Sequence, residues 1–310
     1  MDWNSIGIYS FAVAIVFQLG IWWVDRKNPR KLKWLRHLVK LLPMRAFEKR
    51  YLETLENELR QFARHGLSGK VRSDAARTPL DSRVGGLLIV PKGTDMPTNA
   101  LGQPLLPLLV IRLSDLPDTQ GNVLPSEGWI QVLVEATEFW DVPLPMSQGG
   151  SFRIIHYPEG TEFDVHPVDP KVAKDHEAWK PNRIPLELFS TGLGLDFEAV
   201  LDSVPLWYYK LSNFPGRFMT KAFVDADDAL SDEHARKMLC CDVMIGGHAK
   251  FTQEDIRYEK EYAGLENLIR MSGSGGVFSW GDAGEASIMV PENDLGSGRM
   301  QNAIFYYDFH

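Results

Sequence analysis

Apolar and polar positions follow three rhythms along this chain. From Ser5 to Val24 the sequence reads SIGIYSFAVAIVFQLGIWWV, with no charge. At about 1.5 Å per residue such a run covers about 30 Å, the depth of a bilayer core. It predicts a transmembrane helix closed by Trp22 and Trp23 at the headgroup level. Next, Leu32, Leu35, Leu38, Val39 and Leu42 recur at helical spacing among Lys31, Lys33, Arg36, His37 and Lys40. That pattern suits a helix lying on an anionic leaflet or one packed on a domain. Pro43 breaks it. A second helical period runs through Phe47, Tyr51, Leu55, Leu59 and Phe62 and stops at Gly66. Residues 67–81 are polar, contain a proline and read as a linker.

Beyond residue 82 the rhythm changes. LPLLVIRLS, GWIQVLV and SFRIIHY are short apolar runs bounded by Gly and Pro, and they predict strands. LDFEAVLDSV (195–204) and SDEHARKMLCCDVM (231–244) show helical spacing. The fold class expected is α+β, mainly antiparallel sheet, preceded by the transmembrane helix. The expected segments are a transmembrane anchor at 1–25, basic juxtamembrane and amphipathic helices at 26–66, the linker at 67–81 and one domain at 82–310.

That domain repeats itself. Ser82-Arg83-Val84-Gly85-Gly86 resembles Val243-Met244-Ile245-Gly246-Gly247, and Ile111-Arg112-Leu113-Ser114 resembles Ile269-Arg270-Met271-Ser272. Gly128-Trp129-Ile130-Gln131-Val132 parallels Gly284-Glu285-Ala286-Ser287-Ile288, and Phe152 to Tyr157 parallels Asn302 to Tyr307. Four matches in the same order predict an internally duplicated, pseudo-twofold domain. Gly85, Gly86, Gly246 and Gly247 mark tight backbone turns in the two copies.

Charge separates the parts. The whole chain carries −8. Residues 26–50 hold ten Lys/Arg against one acid, whereas residues 78–310 hold 18 Lys/Arg against 34 Asp/Glu, a balance of −16. The positive-inside rule then places the N-terminus outside and the domain in the cytoplasm, at the plasma membrane. An acidic domain is a poor partner for nucleic acid and a good one for a basic protein. Cys240 and Cys241 are the only cysteines and are adjacent, which rules out a disulfide framework and fits a reducing compartment.

Catalytic patterns are sparse. Asp164, His166 and His156 lack the spacing of a metal set, and Asp225-Ala226-Asp227-Asp228 lacks the glycine and third ligand of a calcium loop. Ser272-Gly273-Ser274-Gly275-Gly276 has no following lysine and reads as a hairpin turn rather than a phosphate cradle. Glu135 and Glu138 form a possible acid pair without a recognisable pocket. No metal, cofactor or catalytic set is expected, and the domain reads as a binder rather than an enzyme. Candidate contact residues are Trp280 and Asp282 of the Trp280-Gly281-Asp282 turn, and Trp207 and Tyr208 of an aromatic cluster with Tyr209, Phe214 and Phe218.

The stretches SRVGGLLIVPKGTDMPTNALGQPLLPLLVIRL, MIGGHAKFTQEDIR, FSWGDAGEASIMV and FYYDF together resemble the YwqG-like family of bacterial domains of unknown function, over about residues 80–310. The resemblance implies a duplicated α+β domain, often an accessory or immunity protein encoded near bacterial toxins. The chain departs from the family pattern at Leu88 and Ala249, where proline is favoured, and at Arg112 and Arg270, where glutamine is favoured. Those two arginines join the candidate contact residues. The functional expectation is a membrane-anchored immunity protein that binds a cognate, basic, nuclease-type toxin and no nucleic acid. The alternative is a tethered enzyme or small-ligand binder using the cleft between the two copies.

Overall fold

The computed structural model describes residues 60–119, 123–135, 144–168, 191–203, 241–253, 255–274 and 276–309. The chain divides between Gln61 and Phe62, and the second unit, Phe62–His310, carries all the strands. These are β1 (Arg64–Ala75), β2 (Arg83–Val84), β3 (Leu88–Pro91), β4 (Leu106–Arg112), β5 (Trp129–Val134), β6 (Met146–Ser147) and β7 (Phe152–Tyr157). They continue as β8 (Phe163–His166), β9 (Leu193–Asp202), β10 (Val243–Gly246), β11 (Leu265–Ser272), β12 (Glu285–Pro291) and β13 (Ile304–Asp308).

Eleven strands form one sheet in the order β6-β13-β12-β11-β10-β1-β9-β2-β4-β5-β7, while β3 and β8 pair separately. Every strand pair is antiparallel. The end strands β6 and β7 approach each other, because the Gln148 side chain bonds both the N–H and the C=O of Ile154, at 2.9 and 2.6 Å. The sheet is thus nearly closed, and it wraps a core to which alternate residues contribute: Ile130, Val132 and Val134 of β5, and Ala286, Ile288 and Val290 of β12. Phe152 and Phe305 meet inside it with ring centroids 5.3 Å apart.

The expectation of an α+β fold is corrected. Among the described residues every named element is a strand or a one-turn 3-10 helix. LDFEAVLDSV was expected to be helical, yet its first eight residues lie in β9. In Leu195-Asp196-Phe197-Glu198 the apolar and acidic residues alternate, a two-residue period that a short window confuses with a helical one. The expected linker at 67–81 is corrected as well. Residues 67–75 belong to β1, twelve residues long and flanked by β9 and β10 on its two sides. Backbone pairing on both edges holds this polar segment, so it needs few large apolar side chains.

Among the described residues no helix is long and apolar enough to cross a membrane. That finding does not support the single-pass expectation, with an outward N-terminus and a membrane-tethered domain. The predicted anchor at 1–25, the predicted helices at 26–59 and the aromatic cluster with Trp207 and Tyr208 lie outside the described residues.

Read outward from the central β1–β9 pair, the sheet runs β10-β11-β12-β13 one way and β2-β4-β5-β7 the other. The sequence matches fall on these corresponding strands. Ile245 pairs with Ile269, and Val84 with Leu109. Ile269 then pairs with Ile288 and Ile288 with Phe305, as Leu109 pairs with Val132 and Val132 with Ile154. Both β4 and β11 carry an irregularity just before this point, at Pro107/Leu109 and at Asn267/Ile269. Leu109, rather than Ile111, is therefore the counterpart of Ile269, and Val110 the counterpart of Arg270.

Candidate functional site

The pairing equates particular residues on the face of the sheet turned away from the core. In the first half this face presents Val110, Gln131, Trp129 and Tyr157. Val110, Trp129 and Tyr157 pack with Ile89 into a small apolar cluster beneath the β3–β8 pair. Gln131, with its amide oriented to satisfy both ends, bonds the Ile89 backbone and the Tyr157 hydroxyl. In the second half the same positions hold Arg270, Ser287, Glu285 and Asp308. The first half thus packs apolar residues around Gln131 beside one buried cation, Arg83, whereas the second sets several buried charges beside the apolar cluster of Phe251, Ile256 and Met289.

Arg270, on β11, is 3% exposed and central to the charged set. Its Nη1 donates to the His248 carbonyl at 2.9 Å and lies 3.7 Å from Asp202 Oδ2. Its Nη2 lies 3.7 Å from Cys241 Sγ. Burial opposes its charge, but Asp202, Cys241 and Glu285 hold its pKa above the ordinary arginine value. Asp202 closes β9, and its Oδ2 accepts the His248 N–H at 2.9 Å. Gly247 makes this possible: its φ is +62°, and a Cβ there would stand 2.6 Å from Asp202 Oδ2.

Glu285 lies on the neighbouring strand. Its Oε1 accepts from Ser272 Oγ at 2.9 Å and meets Lys250 Nζ at 3.4 Å. His248 Nε2 lies 2.8 Å from the Phe62 carbonyl, which fixes the neutral tautomer with its proton on Nε2. Burial, aided by Arg64, pushes the His248 pKa down to about 4. Burial raises the Cys241 pKa, so this buried thiol is a poor nucleophile.

The segment between β10 and β11 lies over this set. Asp308 accepts from the N–H groups of Thr252 and Gln253, each at 3.0 Å. Arg257 grips Asp255 through Nε at 2.8 Å and Nη2 at 2.7 Å, and its Nη1 lies 3.7 Å from Glu266. Glu266 also receives Arg64, whose Nη1 is 2.6 Å from Oε2. Above this buried network the chain turns through Tyr258, Glu259 and Glu261, all exposed.

The residues singled out by sequence scatter. Arg270 is central to the charged set. Arg112 is half-buried at the end of β4, in the other half; burial raises the Asp81 pKa, and the hydrogen bonds from Thr78 and Arg77, with the Arg112 charge behind them, bring it below the ordinary value. Trp280 is 1% exposed and stacks on Phe278 with centroids 5.8 Å apart, while Asp282 is exposed on the turn that follows. Gly85, Gly86, Gly246 and Gly247 all have positive φ, between 62° and 83°. His156 Nε2 contacts the Glu127 carbonyl at 2.9 Å and Asp164 accepts from the Gly93 N–H at 3.2 Å, so both fasten loops. Glu135 accepts from Asn99, and Glu138 lies outside the described residues. Among the described residues no group of three or more His, Cys, Asp or Glu could hold a metal ion. Asp202, His248, Lys250, Glu285 and Ser287 escaped the sequence reading as contact residues: the repeat sets Glu285 against Trp129 and Ser287 against Gln131, but only the strand register puts Arg270 beside Ser287.

The architecture defines a duplicated antiparallel β domain with one largely apolar and one charged half. The chain belongs to the family described as domain of unknown function (DUF1963), whose model matches residues 82–308. No curated protein matches the chain.

Proposed function

We propose that this domain is a non-catalytic binding module for a basic protein, and that it is a YwqG-like immunity protein whose partner is a nuclease-type bacterial toxin. The observation that carries this reading is the Tyr258 turn. Tyr258 is 41% exposed and is followed by the exposed Glu259 and Glu261, on a segment braced from beneath by the Arg257–Asp255 pair. An exposed aromatic followed by two carboxylates, with Lys260 between them, suits a cationic protein surface, since an aromatic anchor supplies affinity and the acids supply attraction. The excess of 34 acids over 18 bases in residues 78–310 extends that attraction over several ångströms.

The test is a binding measurement between the full chain and a candidate toxin encoded beside it. Tyr258→Ala is expected to weaken binding by about 2 kcal/mol or more, chiefly through faster dissociation. Reversal of Glu259 and Glu261 to lysine is expected to slow association and flatten its salt dependence. Wild-type affinity in Tyr258→Ala together with an on-rate indifferent to salt would refute this reading.

A further inference from the structure

We propose that the charged half of the domain holds a small zwitterion of the free amino acid class, bound against Arg270, Ser287, Glu285 and Asp202 beneath the segment that joins β10 to β11. This site lies within the second half and is independent of the protein-partner reading.

Polar atoms without partners carry the argument. Buried polar groups in folded proteins are almost always hydrogen-bonded, and one left alone costs on the order of 1–3 kcal/mol. Here Asp202 Oδ1, Arg270 Nε, Glu285 Oε2, Ser287 Oγ and Asn267 Oδ1 are buried and have no hydrogen-bond partner. All five side chains belong to residues no more than 3% exposed. Arg270 and Ser287 are direct cross-strand neighbours, Glu285 shares their face of β12, and Asp202 lies against the Arg270 guanidinium. The same fold does without this set in its first half, where Gln131, the counterpart of Ser287, satisfies its own amide. The fold itself therefore does not require these polar groups.

Size points the same way. From the first half to the second, Trp129 becomes Glu285, Gln131 becomes Ser287 and Tyr157 becomes Asp308, each a smaller side chain, while Val110 to Arg270 and Ile155 to Tyr306 enlarge. The three reductions outweigh the two enlargements in side-chain volume on this face.

Charge then selects the ligand. Arg270 and Lys250 balance Asp202 and Glu285, while Asp308, the third carboxylate of this face, is held by the Thr252 and Gln253 N–H groups. Burying a further net charge among these ions is costly, so the occupant is neutral overall. It must offer an acceptor to the Arg270 Nε–H and the Ser287 hydroxyl, and donors to Asp202 Oδ1 and Glu285 Oε2. A carboxylate and an ammonium on one small molecule meet both demands with charge-assisted bonds.

The experiment is calorimetric titration of the full chain, in amino-acid-free buffer, with glycine, L-serine and L-glutamine as zwitterions, glycerol and acetamide as uncharged probes, and inorganic phosphate as an ion. Saturable binding of at least one zwitterion is expected, with none for glycerol, acetamide or phosphate. Ser287→Gln, which installs the first half's residue, is expected to weaken that binding at least tenfold while thermal unfolding without ligand stays close to wild type. Glu285→Gln keeps an acceptor for Ser272 and removes the charge, so it should also weaken the zwitterion about tenfold. Should Ser287→Gln fail to fold, Glu285→Gln decides alone. Binding of the uncharged probes in place of the zwitterions, unchanged zwitterion affinity in Glu285→Gln, or no binding by any probe with a crystal structure showing only water at Ser287 would each overturn the proposal. Loss of toxin binding in Tyr258→Ala has no bearing on these titrations, so the two readings fail separately.

Discussion

Gly247 and Asp202 are in such close contact that the position of one dictates the identity of the other. A Cβ on residue 247 would lie 2.6 Å from Asp202 Oδ2, the oxygen that accepts the His248 N–H. The carboxylate is thereby delivered to Arg270 as well. A conformational demand on one backbone position thus sets up the ion pair at the centre of the charged half.

Gly247→Ala should consequently destabilise the domain by about 2–4 kcal/mol, combining left-handed strain with displacement of a buried carboxylate. Gly93 is the internal control. Its φ of +75° is similar, but an added Cβ would meet nothing within 4 Å. Gly93→Ala should cost only about 1–2 kcal/mol. Urea unfolding of the two variants side by side measures the difference, and equal losses would remove the steric part of the argument.

His248 makes stability depend on pH. Burial lowers its pKa from 6.5 to about 4 in the folded chain. Between those values the unfolded chain binds a proton that the folded chain refuses, so stability rises with pH through this window. The contribution is complete above pH 6.5 and is lost as pH falls toward 4. Melting temperatures should drop across that range in the wild type and drop less in His248→Gln. Parallel curves would show that other groups control the acid limb.

Arg257 sits between Asp255 and Glu266 with 2% exposure, and its guanidinium lies 5.3 Å from the Phe251 ring centre. Replacing it with methionine keeps most of the volume and strands the buried Asp255 carboxylate. A loss of about 3–5 kcal/mol is expected, read by denaturant unfolding. The paired change Arg257→Met with Asp255→Leu should recover a large part of that loss, since no buried charge is then left alone.

Trp280 and Asp282 separate core from surface within one turn. Trp280→Ala should cost about 3–5 kcal/mol, because it removes a ring packed against Phe278, Phe305 and Tyr307. Asp282→Asn, on an exposed side chain, should move stability by less than about 0.5 kcal/mol. Thermal unfolding distinguishes these outcomes directly.

The strands that were legible in the sequence are the apolar ones. LPLLVIRLS and GWIQVLV became β4 and β5, buried on both faces, because a continuous apolar run has few other solutions, and SFRIIHY became β7, which mixes buried with half-buried residues. β1 was not legible. Its stretch RHGLSGKVRSDA has Leu67 in the core and otherwise relies on two neighbouring backbones that no local window contains. The charged half was visible only through Arg270. The irregularities at Pro107/Leu109 and Asn267/Ile269 shift strand pairing relative to sequence similarity, which sets Arg112 against Arg270 where the register sets Val110. Hydrophobic pattern reveals which segments are covered. It does not reveal which residues share a row across strands.

The central β1–β9 pair has a consequence for synthesis. β1 precedes β2 in the chain but lies beside β10, and β9 precedes β10 but lies beside β2. Each half therefore lends its opening strand to the other. Gly66 finds its partner Gly246 only after a further 180 residues (246 minus 66) have been made. Contacts between such distant residues slow folding and leave strand edges uncovered while the chain is still growing. A fragment that stops short of β9 cannot complete the first half, however native its own sequence. The ribosome must release the chain through Asp202 before the first half gains its last strand and through β13 before the second half does, so the nascent chain is a natural client for chaperones throughout that interval.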